Sequence, residues 1–128
     1  MATSPRYGDA IINDGVNIST ANPNRDGTGT LGTLHTAAGS GSRIEEIDIK
    51  ARATTTAGMI RLFLHDGTNF RFWREVLVSA VTPSATVAAF ESQLTGLGLK
   101  LKPDWSIRVA TEKAESFDVT ISDGVSYT

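Results

Sequence analysis

Residues 58–81, GMIRLFLHDGTNFRFWREVLVSAV, alternate apolar and polar positions on both sides of an Asp-Gly dipeptide. A period of two over this length marks a strand, and the branched and aromatic residues suit a pleated, half-buried surface. Two such runs about Asp66-Gly67-Thr68-Asn69 form a β-hairpin. The register follows from cross-strand chemistry. A loop of Gly67 and Thr68 alone would set Arg61 against Arg74 and Ile60 against Glu75, and like charges directly opposite are destabilising. A loop of Gly67-Thr68-Asn69 pairs Leu64 with Phe72 and Ile60 with Val76 on one face. On the other it pairs Phe63 with Trp73, Arg61 with Glu75 and Met59 with Leu77. Each such pair contributes roughly 0.2–1 kcal/mol, so several together select this register. Asn69 is the residue suited to the left-handed position such a loop uses. Leu62 then faces Arg74, which places Arg74 near a sheet edge. The hairpin has one apolar face and one amphipathic face.

The same reading extends along the chain. Residues 1–10 form a flexible arm, and residues 10–20 a broken strand with Ile11, Ile12, Val16 and Ile18 as its apolar positions. Residues 21–32 are a polar Gly/Thr/Asn loop. A short strand begins at Leu31 and Leu34, and Gly39-Ser40-Gly41-Ser42 is a flexible joint. Ile44 to Ala53 is a strand with Ile47, Ile49, Ala51 and Ala53 on one face. Ile44 and Ile47 differ in parity, which marks a bulge at Glu45/Glu46. In residues 84–97, Val87, Phe90, Leu94 and Leu97 keep helical spacing, yet the segment is rich in Ser and Thr. We read it as extended. Leu97, Leu99 and Leu101 mark a strand closed by Pro103-Asp104, Ile107 and Val109 the next, and Phe117, Val119 and Ile121 the last. Asp-Gly dipeptides at 14, 26, 66 and 123 punctuate the chain as turns. About eight strands with turn signals between them predict an all-β, antiparallel two-sheet sandwich of jelly-roll type.

At 128 residues the chain is one domain, residues 1–30 supplying the arm and loop and residues 31–128 the main strands. The formal charge is −2 and the basic residues are scattered, so no stripe exists to hold nucleic acid. The chain has no cysteine, which removes disulfides, thiolate metal sites and cysteine nucleophiles. No run approaches the ~20 apolar residues of a membrane span, and the first ten residues lack the apolar core of a signal peptide. The expectation is a protein made in a cytoplasm, with no membrane partner.

Candidate chemistry is sparse. His35 and His65 are the two imidazoles. A Ser-His-Asp set can be drawn on paper from His65, but there is no G-x-S-x-G elbow, and His65 reads as the last residue of its strand. The carboxylate pairs Glu45/Glu46 and Glu112/Glu115 read as solvated strand ends. Asn22-x-Asn24-x-Asp26-Gly27 resembles the first half of a calcium loop, but Thr33 stands where the bidentate Glu is needed. No catalytic residue, cofactor or metal is assigned. Trp73, Trp105 and Tyr127 are candidates for a sugar platform, and Trp105 serves equally as a plug at the end of a sandwich.

The amphipathic face of the hairpin carries the sharper question. Met59, Phe63, Trp73 and Leu77, rimmed by Arg61 and Glu75, need a cover. Residues 1–30 of the chain can provide it, and so can another subunit, since interfaces favour aromatics and Met with a charged rim. We take these six residues, with Arg6 and Tyr7 of the arm, as the candidate partner interface. A homo-oligomer is expected.

The run from Ile47 to Gly124 resembles a group of small tailed-bacteriophage virion proteins. The resemblance rests on IDIKARATTTAGMIRLFLHDG, on Arg74-Glu75-Val76, on SATVAAFES, and on LKLKPDWSIRVATEKAESFDV. It covers more than half the chain and concerns strand and turn pattern. The group typically has Pro and Gly in the turn before the strand starting at Ser106, where this chain has Asp104 and Trp105. The resemblance implies a capsid decoration or cement protein, a β-sandwich bound to the major capsid protein on the outside of an assembled head. It brings no catalytic residues. Tail or fibre proteins share the architecture, and a carbohydrate-binding module is the other alternative.

Overall fold

A computed structural model describes residues 8–127. Over the described residues the fold is all-β, with ten strands in two antiparallel sheets. In order they are β1 (Gly8–Ile11), β2 (Gly15–Ile18), β3 (Gly32–Thr36), β4 (Ser42–Ala51) and β5 (Gly58–His65). There follow β6 (Phe70–Val78), β7 (Glu91–Leu94), β8 (Leu99–Leu101), β9 (Ser106–Thr111) and β10 (Phe117–Tyr127). The first sheet runs β1-β10-β4-β7, with β2 also on β10 and β8 also on β4; the second runs β3-β9-β5-β6. The core lies between them. Ile44, Ile47, Ile49, Phe117, Val119 and Ile121 of the first sheet share a buried cluster with Ile60, Leu62, Val76, Ile107 and Val109 of the second.

The sandwich-like, all-β architecture agrees with the pattern in the sequence, and several local readings hold. Ile44 and Ile47 are both fully buried despite their opposite parity, and the β4–β10 register slips around Glu46 and Asp123. Residues 91–94 are extended, as β7. Pro103-Asp104 forms a turn in which the Trp105 N–H donates to the Lys102 carbonyl and Asp104 takes a φ of 72°.

Other readings are corrected. The arm read over residues 1–10 becomes strand at Gly8, and β1 and β2 both pair with β10. Arg6 and Tyr7 lie outside the described residues. Asp123-Gly124 makes no turn: β10 passes through it on two register slips, with Gly124 packed on Ile44 and Ile121.

The hairpin keeps its expected register at Met59–Leu77, Ile60–Val76, Arg61–Glu75 and Leu62–Arg74. Near the turn it departs. Asp66 Oδ1 accepts the N–H groups of Thr68 and Asn69 at 2.9 and 2.7 Å, which closes the loop one residue earlier, and His65 pairs with Phe70. The positive φ falls on Gly67 and not on Asn69. A bulge at Trp73 absorbs the extra residue, so Phe63 pairs with Phe72 and Leu64 with Arg71, in place of Trp73 and Phe72. The bulge therefore exchanges two aromatics between faces. Trp73 packs against the core cluster, while Phe72 stacks on Phe63 at 5.3 Å on the outer face. β6 is an edge strand, and Arg74 is exposed with its guanidinium 5.3 Å over the Trp73 ring.

The outer face of the second sheet is roofed by the chain's own polar loop. From Ala21, bridged to Thr111 of β9, residues 21–31 cross to β6, where Arg25 bonds Glu75 and Gly27 rests on the Phe70 ring, and then return to β3. Gly27 adopts a φ of 88°, and a Cβ there would run into Phe70. Gly27→Ala should therefore lower stability by about 2 kcal/mol or more, combining left-handed strain with displacement of the ring. A fall in the urea midpoint at unchanged m-value measures it.

Candidate functional site

The roof and the sheet beneath it form a charged, aromatic cluster. Met59, Arg61 and Phe63 alternate with Ile60 and Leu62 along β5, so the first three face outward while the others face the core. Arg61 and Phe63 are nevertheless buried, because the loop lies over them. Arg61 Nε donates to Glu75 Oε2 at 2.8 Å, and Arg25 Nε reaches the same oxygen at 3.2 Å. Arg61 Nη2 lies 3.6 Å from Glu112, and its Nη1 is buried without a hydrogen-bond partner. A buried guanidinium is held by carboxylates because desolvating it alone is costly.

The candidate interface residues therefore separate. Phe63 and Arg61 are beneath the loop. Met59 is half-buried and Trp73 packs inward. Leu77 is 66% exposed, Glu75 stands at the rim, and Phe72, absent from the sequence-based set, is 45% exposed. Phe72 was missed because the bulge that turns it outward depends on how Asp66 closes the turn. A shallow groove lined by Phe72, Trp73, Arg74 and Glu75 runs along the strand. Trp105 packs against the core at the end of the sandwich, away from these residues in the sheet order.

A second constellation links both sheets. His35 of β3 is buried; its Nδ1 lies 2.7 Å from Asp14 Oδ2 and its Nε2 2.9 Å from Ser42 Oγ. An ionised Asp only accepts, so Nδ1 donates to it and Nε2 accepts from the Ser42 hydroxyl. This is the Ser-His-Asp order that the sequence suggested on paper at His65. His65 instead ends β5 with its ring 4.3 Å from that of Phe70. Ser42 has 0% exposure, so its hydroxyl cannot meet a substrate from solution. No signal in the sequence pointed to His35, since its partners lie on the β1–β2 connection and at the start of β4.

The Asn22/Asn24/Asp26 loop is an internal knot. Asn22 Nδ2 donates to the Thr28 and Thr30 carbonyls, and Asp26 Oδ1 accepts the Thr28 N–H and hydroxyl. Asn22 Oδ1 accepts the Asn24 N–H, so this oxygen and Asp26 Oδ1 serve the loop's own donors. Among the described residues no three His, Cys, Asp or Glu side chains are grouped to hold a metal ion. No protein-family model matches the chain, and a search of curated proteins finds no match.

The charge cluster gives a pH test. Hydrogen bonding from Arg61 holds the Glu75 carboxyl below its ordinary value; burial opposes this and Arg25 adds to it. A carboxyl lowered in the folded state stabilises above its unfolded pKa and loses that stability as pH falls through the folded one. Bonds to Thr28 lower Asp26 in the same direction, as do backbone bonds from Asn69 and Thr68 for Asp66 and the Arg52 bond for Asp118. The urea midpoint should be level from neutral pH to about 5 and fall below it. Glu75→Gln should start lower and fall less. An equal drop in both proteins would show that Glu75 contributes nothing to the slope.

Proposed function

We propose that the chain is a structural protein of a tailed-bacteriophage virion, a decoration or cement protein that binds the major capsid protein on the assembled head. The observation that carries this reading is the outer strip of β6. Phe72 and Leu77 stay exposed on the hairpin face, while Arg61 and Phe63 on the neighbouring strand are buried beneath the loop. A protein that leaves an aromatic and a leucine uncovered beside a buried ion-pair cluster is equipped to bury them against a larger surface. The Ile47–Gly124 resemblance supplies the kind of surface. Binding of this kind stabilises a shell by mass action, by about 2.7 kcal/mol per site at a hundredfold excess over Kd. Capsid and sister copies are the proposed partners, and the capsid surface the proposed location.

The groove at Phe72, Trp73, Arg74 and Glu75 favours a second reading, a carbohydrate-binding module or fibre head. Against it, the Arg74 guanidinium already occupies one side of the Trp73 ring.

Two variants separate contact from core. Phe72→Ser with Leu77→Ser should reduce the amount retained on particles by about tenfold or more, in a protein that stays folded with a urea midpoint lowered only by loss of the Phe63–Phe72 stack. Phe63→Ser should unfold the protein by opening the buried side of the same stack. Gold labelling in electron micrographs reads the location. Label on tails or on no particle, or full retention of the Phe72/Leu77 variant, would sink the decoration reading. Binding on a glycan array would favour the second.

A further inference from the structure

The Gly41–Ser42 peptide bond lies at the reactive end of the Asp14–His35–Ser42 line. Ser42 is closed to external substrates, but a serine hydroxyl always has one carbonyl within covalent reach, that of the residue before it. Here that carbonyl is held in place. Gly41 takes a φ of 90°, and a Cβ would run into the Leu101 carbonyl, so the position admits no side chain. The Gly41 N–H donates to the Ala38 carbonyl at 2.8 Å, and the Gly41 carbonyl accepts the Tyr127 N–H at 3.0 Å. A nucleophile, a base at 2.9 Å, a carboxylate orienting that base at 2.7 Å and a donor on the carbonyl oxygen thus surround one bond. These are the parts that acyl transfer to a serine requires.

We propose that the chain cleaves itself once, between Gly41 and Ser42. Ser42 Oγ attacks the Gly41 carbonyl carbon while His35 Nε2 takes the hydroxyl proton, and the Tyr127 N–H supports the charge developing on the carbonyl oxygen. The C–N bond breaks as the imidazolium returns that proton to the Ser42 nitrogen. The product is an ester between the Gly41 acyl group and Ser42 Oγ, with a free amine on Ser42. With the backbone open at this bond, one water enters and hydrolyses the ester, leaving a carboxylate at Gly41 and a Ser42 with free hydroxyl and amine. His35 is the catalytic base and Asp14 a positioning residue. The pieces stay together, because β1 and β2 remain paired with β10 and β3 with β9.

The test is intact-mass spectrometry of the full chain, purified folded and then denatured. Residues 1–41 and 42–128 should appear as separate masses, while the native mass is unchanged. Hydroxylamine should hasten the split and leave a hydroxamate on Gly41; the chain has no Asn-Gly bond to confuse the reading. Ser42→Ala should stay whole, Ser42→Cys should still split through a thioester, and His35→Ala should be slower by about a hundredfold or more. Asp14→Asn, on a residue 54% exposed, should slow the step with the fold intact. A single intact mass in the wild type with hydroxylamine would overturn the proposal, as would the same fragments from Ser42→Ala. A rate unchanged in His35→Ala would remove His35 as the base.

Discussion

The Arg61–Glu75 ion pair sets the terms for the second sheet. A guanidinium on the outer face of a central strand would ordinarily lie in water. Here the face is roofed, so the charge has to be matched within the protein. Glu75 on the neighbouring strand does this at 2.8 Å, and Arg25 comes down from the loop to the same carboxylate oxygen. The pair therefore holds the hairpin register and anchors the roof together. Moving β6 by one residue at this point would set the buried cation against Arg74 in one direction and Val76 in the other, and either leaves it without its carboxylate. The register error is confined to the turn side of the pair, where no charge enforces the alignment.

That division explains what could be read from the letters. Strand character, the Arg61–Glu75 rung, the Glu45/Glu46 bulge and the Pro103-Asp104 turn are encoded by neighbours in sequence or by opposite charges on adjacent strands. The bulge at Trp73 was not legible, because it arises from a competition between two closures of one loop. In the structure the Asp66 carboxylate decides it by binding two backbone N–H groups. One displaced residue then exchanges Trp73 and Phe72 between faces, and with them the exposed part of the candidate interface.

The His35 line was illegible for another reason. Asp14, His35 and Ser42 belong to three segments that meet where the β1–β2 connection closes against β3 and β4. The apolar pattern of residues 10–20 encodes a broken strand, which the structure keeps as β1 and β2, but it does not encode that both lie on β10. Once β1 and β2 lie along β10, Asp14 is carried alongside the middle of that strand, where its carbonyl accepts the Ile121 N–H at 2.8 Å. Periodicity finds strands and says nothing of which strands share a neighbour.

That shared neighbour is β10, which binds β1, β2 and β4 at once. Residues 117–127 are synthesised after every strand they organise, so the first sheet has no centre until they emerge from the ribosome. Until then β1 and β2 have no strand to pair with, and one side of β4 is an open edge. Such late, distant pairing makes for slow folding and a period of exposure to association with other chains. The second sheet is better placed. Its β5–β6 hairpin is local, and β9 joins it before β10 is made, so it can form first and present an apolar face on which the other is laid down.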